Sequence, residues 1–264
     1  MIYKGKYKII DNFITACDYN FVLSEIKEAI KNKEKLLISP IASHTLVKAH
    51  YDKNLKKILD KFDYLVPDSQ WVRWSIPFLY GKEKKLKDRV YGPDLMLKTC
   101  NLAEKNKYKI FLYGNTYAVL NKLKEKLRNI YPSIQIVEEE ASKFRELTEN
   151  ELKKLIKKIT YSKSNIIFVS LGSPKQEVFS YKLTNYSKYP FIIIPVGAAF
   201  DFLSGNKPQA PKYIRQIGYE WLFRSIIEPK RLISRYSTFI IKYMYLIIRQ
   251  KIEQNNKFKF SVKT

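Results

Sequence analysis

Short apolar runs alternate with longer amphipathic segments from Lys35 to about Val196. Apolar runs of this length are typical of strands buried on both faces, and apolar positions three and four residues apart are typical of helices. The runs predict strands at Leu36–Ser39, Tyr64–Val66, Lys109–Tyr113, Ile134–Val137, Ile166–Leu171 and Phe191–Val196. The amphipathic segments predict helices at about Phe21–Asn32, Asp52–Lys61, Gln70–Tyr80, Pro93–Asn106, Thr116–Tyr131, Glu149–Tyr161 and Lys175–Ser187. This alternation predicts an α/β fold with a mainly parallel sheet and helices on both of its faces.

The composition changes after Val196. A turn-rich break at Ser204–Pro208 leads into helical sequence, and from Asn206 onward thirteen Lys and Arg residues stand against three Glu. We therefore predict an α/β catalytic domain over residues 1–200 and a basic, amphipathic helical appendage over residues 201–264.

This C-terminal segment has two interpretations. Either it adds further helices to the core, or it lies as an amphipathic appendage on an anionic membrane surface. Lys242 and Arg249 interrupt its apolar run, which argues against a bilayer-spanning helix. The density of tyrosine and phenylalanine beside lysine and arginine suits the lipid headgroup zone, so we favour the membrane interpretation.

The 264 residues carry a net charge of +24, which indicates an anionic partner: nucleic acid, anionic lipid or a phosphorylated substrate. Residues 1–16 lack the apolar core of a signal peptide, and no apolar run is long enough to span a bilayer. Two cysteines suit a reducing compartment, so we predict a cytoplasmic protein. The two histidines, His44 and His50, make no metal site with Cys17 or Cys100, so we predict no metal and no other cofactor.

The segment Asn165–Glu177 is the most informative in the chain, because an apolar run ends there and a helix begins. Gly172 allows a tight turn, Ser173 can cap a helix, and Pro174 suits the first helical position. Such a turn lies in the crevice where open α/β sheets bind ligands. Gln176, in the first helical turn, is placed to reach that ligand.

Asp68 stands at the carboxyl-terminal tip of the predicted strand Tyr64–Val66. Reacting groups collect at such tips in open α/β sheets, and an aspartate there can act as a general base towards a hydroxyl group. The alternative is that Asp68 is the N-cap of the helix that starts near Gln70. At the level of this motif both interpretations stay open.

Two further element ends carry candidate anion-binding groups. Gly92 precedes a proline at a helix start, Asp94 complements the helix dipole, and Arg89 lies just before the turn, placed to bind a diphosphate. The alternative for Arg89 is a surface salt bridge with Asp88 or Asp94. Gly114 ends another strand, where backbone N–H groups and a helix N-terminus could cradle a nucleotide.

In their order and spacing these motifs resemble the WecG/TagA/CpsF glycosyltransferase family. The resemblance covers about Leu36 to Tyr236, most of the chain. It rests on Pro67-Asp68, Arg89-Val90-Tyr91-Gly92-Pro93-Asp94-Leu95, Phe111-Leu112-Tyr113-Gly114, Leu171-Gly172-Ser173-Pro174-Lys175-Gln176-Glu177, Val196-Gly197-Ala198-Ala199-Phe200-Asp201, Ala210-Pro211-Lys212, Gly218-Tyr219-Glu220-Trp221-Leu222-Phe223-Arg224, Glu228-Pro229-Lys230-Arg231 and Arg235-Tyr236.

The resemblance implies an inverting transfer of a sugar from a UDP-sugar to a saccharide carried on polyprenyl diphosphate. It implies a Rossmann-like core with a membrane-binding appendage, attached peripherally to the inner face of the cell membrane, and Asp68 as the general base. The implied substrate-binding residues are Ser39, Arg89, Gly92, Asp94, Gly114, Gly172, Gln176 and Glu177. The implied lipid-diphosphate-binding residues are Arg224, Arg231 and Arg235. Members of the family form dimers or trimers, so a homo-oligomer stays open for this chain.

Two positions depart from the family pattern. Many members carry Thr-x-Asn after the first strand and glycine after the aspartate, whereas this chain has Ser39-Pro40-Ile41 and Asp68-Ser69. Since these positions face the sugar region in the family, the departures indicate a donor or acceptor sugar that differs from the N-acetylmannosamine pair of the wall teichoic acid enzymes. The expected donor sugar is therefore N-acetylmannosamine or a related hexose, used in capsule, exopolysaccharide or teichoic acid synthesis.

Two alternatives come from other classes of function. One is a non-catalytic basic protein that binds nucleic acid, and the other is a transferase with a soluble acceptor. Against nucleic acid, no stacking motif of the RRM type is present, and the basic residues of the C-terminal segment are interleaved with long aliphatic side chains. We therefore expect no nucleic-acid partner.

Overall fold

The computed structural model describes residues 1–227 and 229–261, and for residues 230–237 and 257–261 it describes the backbone but not the side chains. The strands are β1 Tyr3–Ile9, β2 Asn12–Cys17, β3 Leu36–Ile41, β4 Tyr64–Pro67, β5 Lys109–Gly114, β6 Gln135–Glu140, β7 Ile166–Ser170 and β8 Ile192–Pro195. The helices are α1 Tyr19–Asn32, α2 Ser43–Tyr51, α3 Lys53–Leu59, α4 Gln70–Tyr80, α5 Gly92–Asn106, α6 Tyr117–Ile130, α7 Glu149–Ser162, α8 Lys175–Tyr186, α9 Ala199–Leu203, α10 Lys212–Gln216, α11 Glu220–Ile227 and α12 Pro229–Ser261.

Six strands form one parallel sheet in the order β4-β3-β8-β7-β5-β6. These are the six predicted strands, so the prediction of an α/β fold is confirmed. Neighbouring residues along a strand point to opposite faces, and the core is divided accordingly. Phe111, Ile167 and Ile193 belong to one apolar cluster, whereas the residues that follow them belong to the other. Because all six strands run in parallel, their carboxyl ends meet at one edge of the sheet.

An N-terminal hairpin and a helix were not predicted. Strands β1 and β2 pair antiparallel around a turn in which Ile10 has a φ angle of +60°. Ile9 and Ile14 of this hairpin are buried, whereas lysine alternates with other residues along β1. Alternation of this kind is typical of a half-buried strand. The residues between the lysines are not all apolar, so the sequence pattern did not predict the strand. The helix is α2, which begins two residues after the end of β3. Its amphipathic pattern is weak, so the sequence did not predict it as a separate element.

Helix α12 packs against α2 and α4. Tyr243 is 2% exposed, and its hydroxyl lies 2.9 Å from Ser75 Oγ. Gln250 ties the helix to the hairpin, because its Oε1 accepts from the Ile10 N–H and its Nε2 donates to the Lys8 carbonyl, each at 2.8 Å. This packing is what the core-helix interpretation predicts for this stretch, while the opposite face of the helix is exposed. The domain boundary near residue 200 stays a prediction.

None of the helices in the described part of the chain has both the length and the hydrophobicity that crossing a bilayer requires.

Candidate active site

A cleft of about 930 Å³ opens at the carboxyl-terminal edge of the sheet. Four separate parts of the chain bring predicted site residues to its wall. Those residues are Asp68, Arg89, Gly92, Gly172, Gln176 and Arg224. Four further predicted residues that the structure describes lie outside the lining: Ser39, Asp94, Gly114 and Glu177.

Asp68 follows the last residue of β4 and presents its carboxylate to the cleft. Its Oδ1 accepts a hydrogen bond from the Gly92 N–H at 2.8 Å. Burial raises the pKa of Asp68 to about 6. Arg89, the Gly92 N–H and Arg224 oppose this rise, whereas the Glu220 carboxylate adds to it. A carboxylate that titrates this close to neutral pH is suited to accept a proton from a substrate.

Ser69, not Asp68, caps helix α4. The Ser69 hydroxyl oxygen accepts from the Val72 N–H at 3.4 Å, and the Ser43 N–H donates to the same oxygen at 3.3 Å. The N-cap alternative for Asp68 is therefore wrong, and its carboxylate is left for the cleft.

Arg89 forms a buried ion pair. The residue is 7% exposed, and its Nη2 donates to Glu220 Oε2 at 2.6 Å. The Tyr91 hydroxyl donates to the other Glu220 oxygen at 2.8 Å, and the Arg89 guanidinium lies 4.3 Å from the centroid of the Tyr91 ring. A surface salt bridge of Arg89 with Asp88 or Asp94 is therefore wrong, because the partner is Glu220.

Gln176 organises the wall of the cleft. Its Oε1 accepts from the Gly197 N–H, and its Nε2 donates to Glu177 Oε1, both at 3.0 Å. Glu177 also accepts from Ser39 Oγ at 3.3 Å and from Ser173 Oγ at 2.9 Å, and burial raises its pKa. Ser39 and Glu177 are both 0% exposed, so they support the wall from behind rather than facing the cleft as the sequence analysis expected.

The predicted roles of Ser173 as a helix cap and of Pro174 as the first helical residue are both wrong. Pro174, not Ser173, is the N-cap of α8, and no side chain caps this helix. The Ser173 hydroxyl is instead bound to Glu177 and lies 2.6 Å from Thr45 Oγ1. In the segment that departs from the family pattern, Pro40 lines the cleft, whereas Ile41 is buried in the core.

Gly114 shapes the cleft without lining it. Its φ angle is +118°, and a Cβ atom added there would lie 2.3 Å from the Ser170 carbonyl oxygen of the neighbouring strand. Only glycine permits this approach. Asn115 and Thr116, the next two residues, line the cleft.

The remaining predicted residues lie around the C-terminal segment. Asp94 forms an ion pair with Arg215 at 3.3 Å instead of facing the cleft. The Arg224 guanidinium lies 5.4 Å from the centroid of the Phe202 ring. The side chains of Arg231 and Arg235 lie outside the described ones, so their contact with a lipid diphosphate stays a prediction.

Three contributors to the cleft lining had no predicted role: Tyr91, Glu220 and the loop 142–147. The signal for Glu220 was present, because it is one of only three acidic residues from Asn206 onward. Among the side chains that the structure describes, no three from histidine, cysteine or acidic residues come together as metal ligands.

A model of the Glycosyl transferase WecG/TagA/CpsF family matches residues 7–257. The chain belongs to this family. The resemblance seen in the sequence is thereby confirmed, and the protein is a glycosyltransferase. The interpretation as a non-catalytic nucleic-acid-binding protein gains no support from these findings.

Three relatives share one name, N-acetylglucosaminyldiphosphoundecaprenol N-acetyl-beta-D-mannosaminyltransferase. The relative from Bacillus subtilis (strain 168) is 27% identical over 235 residues, which cover 88% of this chain and 85% of the relative. The relative from Bacillus spizizenii (strain ATCC 23059 / NRRL B-14472 / W23) is 27% identical over 191 residues, which cover 70% of this chain and 71% of the relative. The relative from Staphylococcus aureus (strain NCTC 8325 / PS 47) is 26% identical over 199 residues, which cover 75% of this chain and 74% of the relative.

Proposed function

We propose that this glycosyltransferase moves a sugar from a UDP-sugar to a saccharide carried on polyprenyl diphosphate, with inversion at the anomeric carbon. The name of the relatives states an N-acetylmannosaminyl group as the sugar and N-acetylglucosaminyldiphosphoundecaprenol as the acceptor. We extend this class of donor and acceptor to the present chain. The product would enter the synthesis of a capsule, an exopolysaccharide or a teichoic acid.

The observation that carries the proposal is the Asp68 carboxylate in a cleft large enough for a nucleotide sugar. In the proposed reaction, the acceptor hydroxyl attacks the anomeric carbon from the face opposite UDP. A new carbon–oxygen bond forms, the bond from the anomeric carbon to the diphosphate breaks, and Asp68 takes the hydroxyl proton. A general base of this kind contributes about 10²–10⁴-fold in rate.

The charges along the cleft support a diphosphate leaving group. Among the described lining residues, six are Lys or Arg and four are Asp or Glu. The basic ones are Arg89, Arg145, Lys175, Lys182, Lys207 and Arg224. Guanidinium groups bind phosphate oxygens in pairs of hydrogen bonds, and preorganised cations stabilise the charge that develops on a departing diphosphate.

An anionic membrane surface is the third proposed partner. The outer face of α12 exposes Ile241, Tyr245, Ile248 and Ile252, which are three or four residues apart and so form one stripe. Ile240, the neighbour of the first of these residues, lines the cleft. A bilayer in contact with the stripe would therefore lie close to the cleft. The polyprenyl chain could then stay in the lipid while its diphosphate enters the cleft.

The test is a transfer assay with purified protein, anionic vesicles that contain N-acetylglucosaminyldiphosphoundecaprenol, and a panel of UDP-sugars that includes UDP-N-acetylmannosamine. UDP release measures turnover, and mass spectrometry of the lipid identifies the product. We expect one donor to give UDP and a lipid extended by one sugar. Turnover with a free saccharide but not with the lipid-linked one would contradict the proposed acceptor.

A further inference from the structure

Glu220 is the centre of a buried polar cluster at the cleft. It is the first residue of α11 and is 8% exposed. One carboxylate oxygen accepts from Arg89 at 2.6 Å and the other from Tyr91 at 2.8 Å. On the outer side of the cluster, Gln209 donates to the Tyr91 hydroxyl at 3.2 Å, and the Arg215 guanidinium lies 5.2 Å from the Tyr91 ring centroid. Both oxygens of Glu220 are thus engaged, and the cluster is held from two sides.

Arg89 is fastened beside Asp68 by the backbone that follows it. The N–H of the next residue donates to the Pro67 carbonyl oxygen at 2.9 Å, and the Gly92 N–H donates to Asp68 Oδ1 at 2.8 Å. Arg89 therefore has two carboxylates within its electrostatic reach, Asp68 and Glu220. In this structure its guanidinium is hydrogen-bonded to Glu220.

We propose that Glu220 is a positioning residue, which holds the Arg89 guanidinium away from Asp68 and so leaves the Asp68 carboxylate available to take a proton. This inference rests on the proposed role of Asp68 as the base. An arginine paired directly with a carboxylate stabilises its charged form and makes it a weaker base. Since Glu220 lies on α11, the C-terminal segment would contribute to the chemistry through this contact.

The charged groups that face Asp68 set the sign of the expected effect. Arg89 and Arg224 favour its ionised form, whereas Glu220 opposes it. The other titratable groups on the described cleft wall are His44, Tyr91, Tyr113, Arg145, Glu146, Lys175, Lys182, Asp201 and Lys207. Loss of the Glu220 charge removes a group that raises the pKa of Asp68, and it releases Arg89, which lowers that pKa. Both consequences have the same direction, so the pKa falls.

The test is a carboxyl-carbon NMR titration of protein labelled at its aspartate carboxyl carbons, with Asp68→Asn to identify the resonance. We expect a pKa of about 6 for Asp68 in the wild type. In Glu220→Gln we expect a value lower by about one unit or more, as for a carboxylate that gains an arginine partner. The matched control is Glu139→Gln, which removes a carboxylate bound to Lys124 at 2.5 Å outside the cleft. In that variant the pKa of Asp68 stays near 6.

An unchanged or raised pKa of Asp68 in Glu220→Gln would overturn the inference. Because this variant leaves Arg89 buried without its partner, it can fail to fold. The double variant Arg89→Gln/Glu220→Gln removes both charges and keeps the test available. A pKa at or above the wild-type value in the double variant supports the release of Arg89 as the cause, and a lower value contradicts it.

Kinetics then separate this inference from the proposed function. If both hold, the acidic limb of the kcat/KM profile shifts to lower pH in Glu220→Gln and returns towards the wild-type position in Glu220→Asp. A purely structural role of Glu220 would lower activity without moving the limb. If Asp68→Asn keeps full turnover although the NMR shift occurs, the proposed function fails while the electrostatic link from Glu220 to Asp68 stands.

Discussion

At the scale of single residues, the environment of Asp68 determines the pH at which it can accept a proton. Burial raises its pKa to about 6. Above that pH the carboxylate is ionised and can act as a base, whereas below it the group is protonated and cannot. We therefore expect kcat/KM to fall about tenfold per pH unit below pH 6, as measured by UDP release at constant ionic strength. A profile that stays flat well below this pH would contradict the assignment.

Gly114 gives a residue-scale prediction about stability. Alanine at this position combines a strained φ angle with a contact of 2.3 Å to the Ser170 carbonyl oxygen. We expect Gly114→Ala to lower the free energy of unfolding by at least about 2 kcal/mol, measured in urea. The control is Gly172→Ala. Its φ angle is +74° and no atom lies within 4 Å of the added Cβ, so we expect a loss of about 1 kcal/mol. Equal losses in the two variants would show that the close strand contact is unimportant.

At the scale of elements, helix α12 has two faces with different roles. Tyr243 packs into the core and contacts Ser75, whereas Tyr245 is 61% exposed on the same helix. We expect Tyr243→Ala to lower the free energy of unfolding by about 3–5 kcal/mol, as for a large aromatic removed from a core. For Tyr245→Ala we expect a change within about 0.5 kcal/mol. Thermal and urea unfolding measure both, and similar losses would show that α12 is not part of the cooperative core.

The elements also show how far sequence reasoning reaches. Strands β3, β7 and β8 are buried along their whole length, and each begins with at least three consecutive apolar residues, a pattern that indicates a buried strand. Strand β1 has one face towards solvent, and its lysines interrupt the apolar pattern by which a strand is predicted. The described side chains of helix α12 include both core and surface positions, and the sequence pattern of the helix fits either a core helix or an interfacial one.

Local sequence patterns also predict only part of the candidate active site. Asp68 and Arg89 were predicted because strand ends and helix starts collect at one edge of a parallel sheet, which is a property of local sequence order. The pairing of Arg89 with Glu220 joins residues 131 positions apart. Nothing in the local pattern of either residue specifies the other, so only the folded structure identifies the pair. Ser39 and Glu177 were expected in the cleft, but they support its wall from behind. The local sequence pattern does not specify which side chains at a strand end or a helix start become buried.

At the scale of the whole molecule, a charge of +24 and an exposed apolar stripe support attachment to anionic lipid. Removal of the segment after Gly205 would be a poor test. Tyr243 and its neighbours Leu246 and Ile247 are buried in the core, so truncation would expose that core. A substitution on the exposed face separates membrane binding from folding.

We expect Ile248→Glu to weaken binding to phosphatidylglycerol vesicles by at least about tenfold, because it removes an apolar contact and adds repulsion from anionic lipid. Ile130→Glu, a change at another exposed isoleucine on α6, is the matched control and should bind like the wild type. Vesicle sedimentation measures both, and rising salt should weaken wild-type binding. Equal binding of the two variants would argue against the stripe as the lipid-binding face.

The proposed mechanism depends most on Asp68 as the base, and the turnover of Asp68→Asn tests this role directly. With donor and lipid-linked acceptor at saturation, we expect kcat to fall by about 10²–10⁴-fold while the dissociation constant of the donor changes by less than about twofold. Asp52→Asn is the matched control, because it makes the same change at the N-cap of α3, outside the cleft, where asparagine also caps a helix. Wild-type turnover in Asp68→Asn would contradict the mechanism.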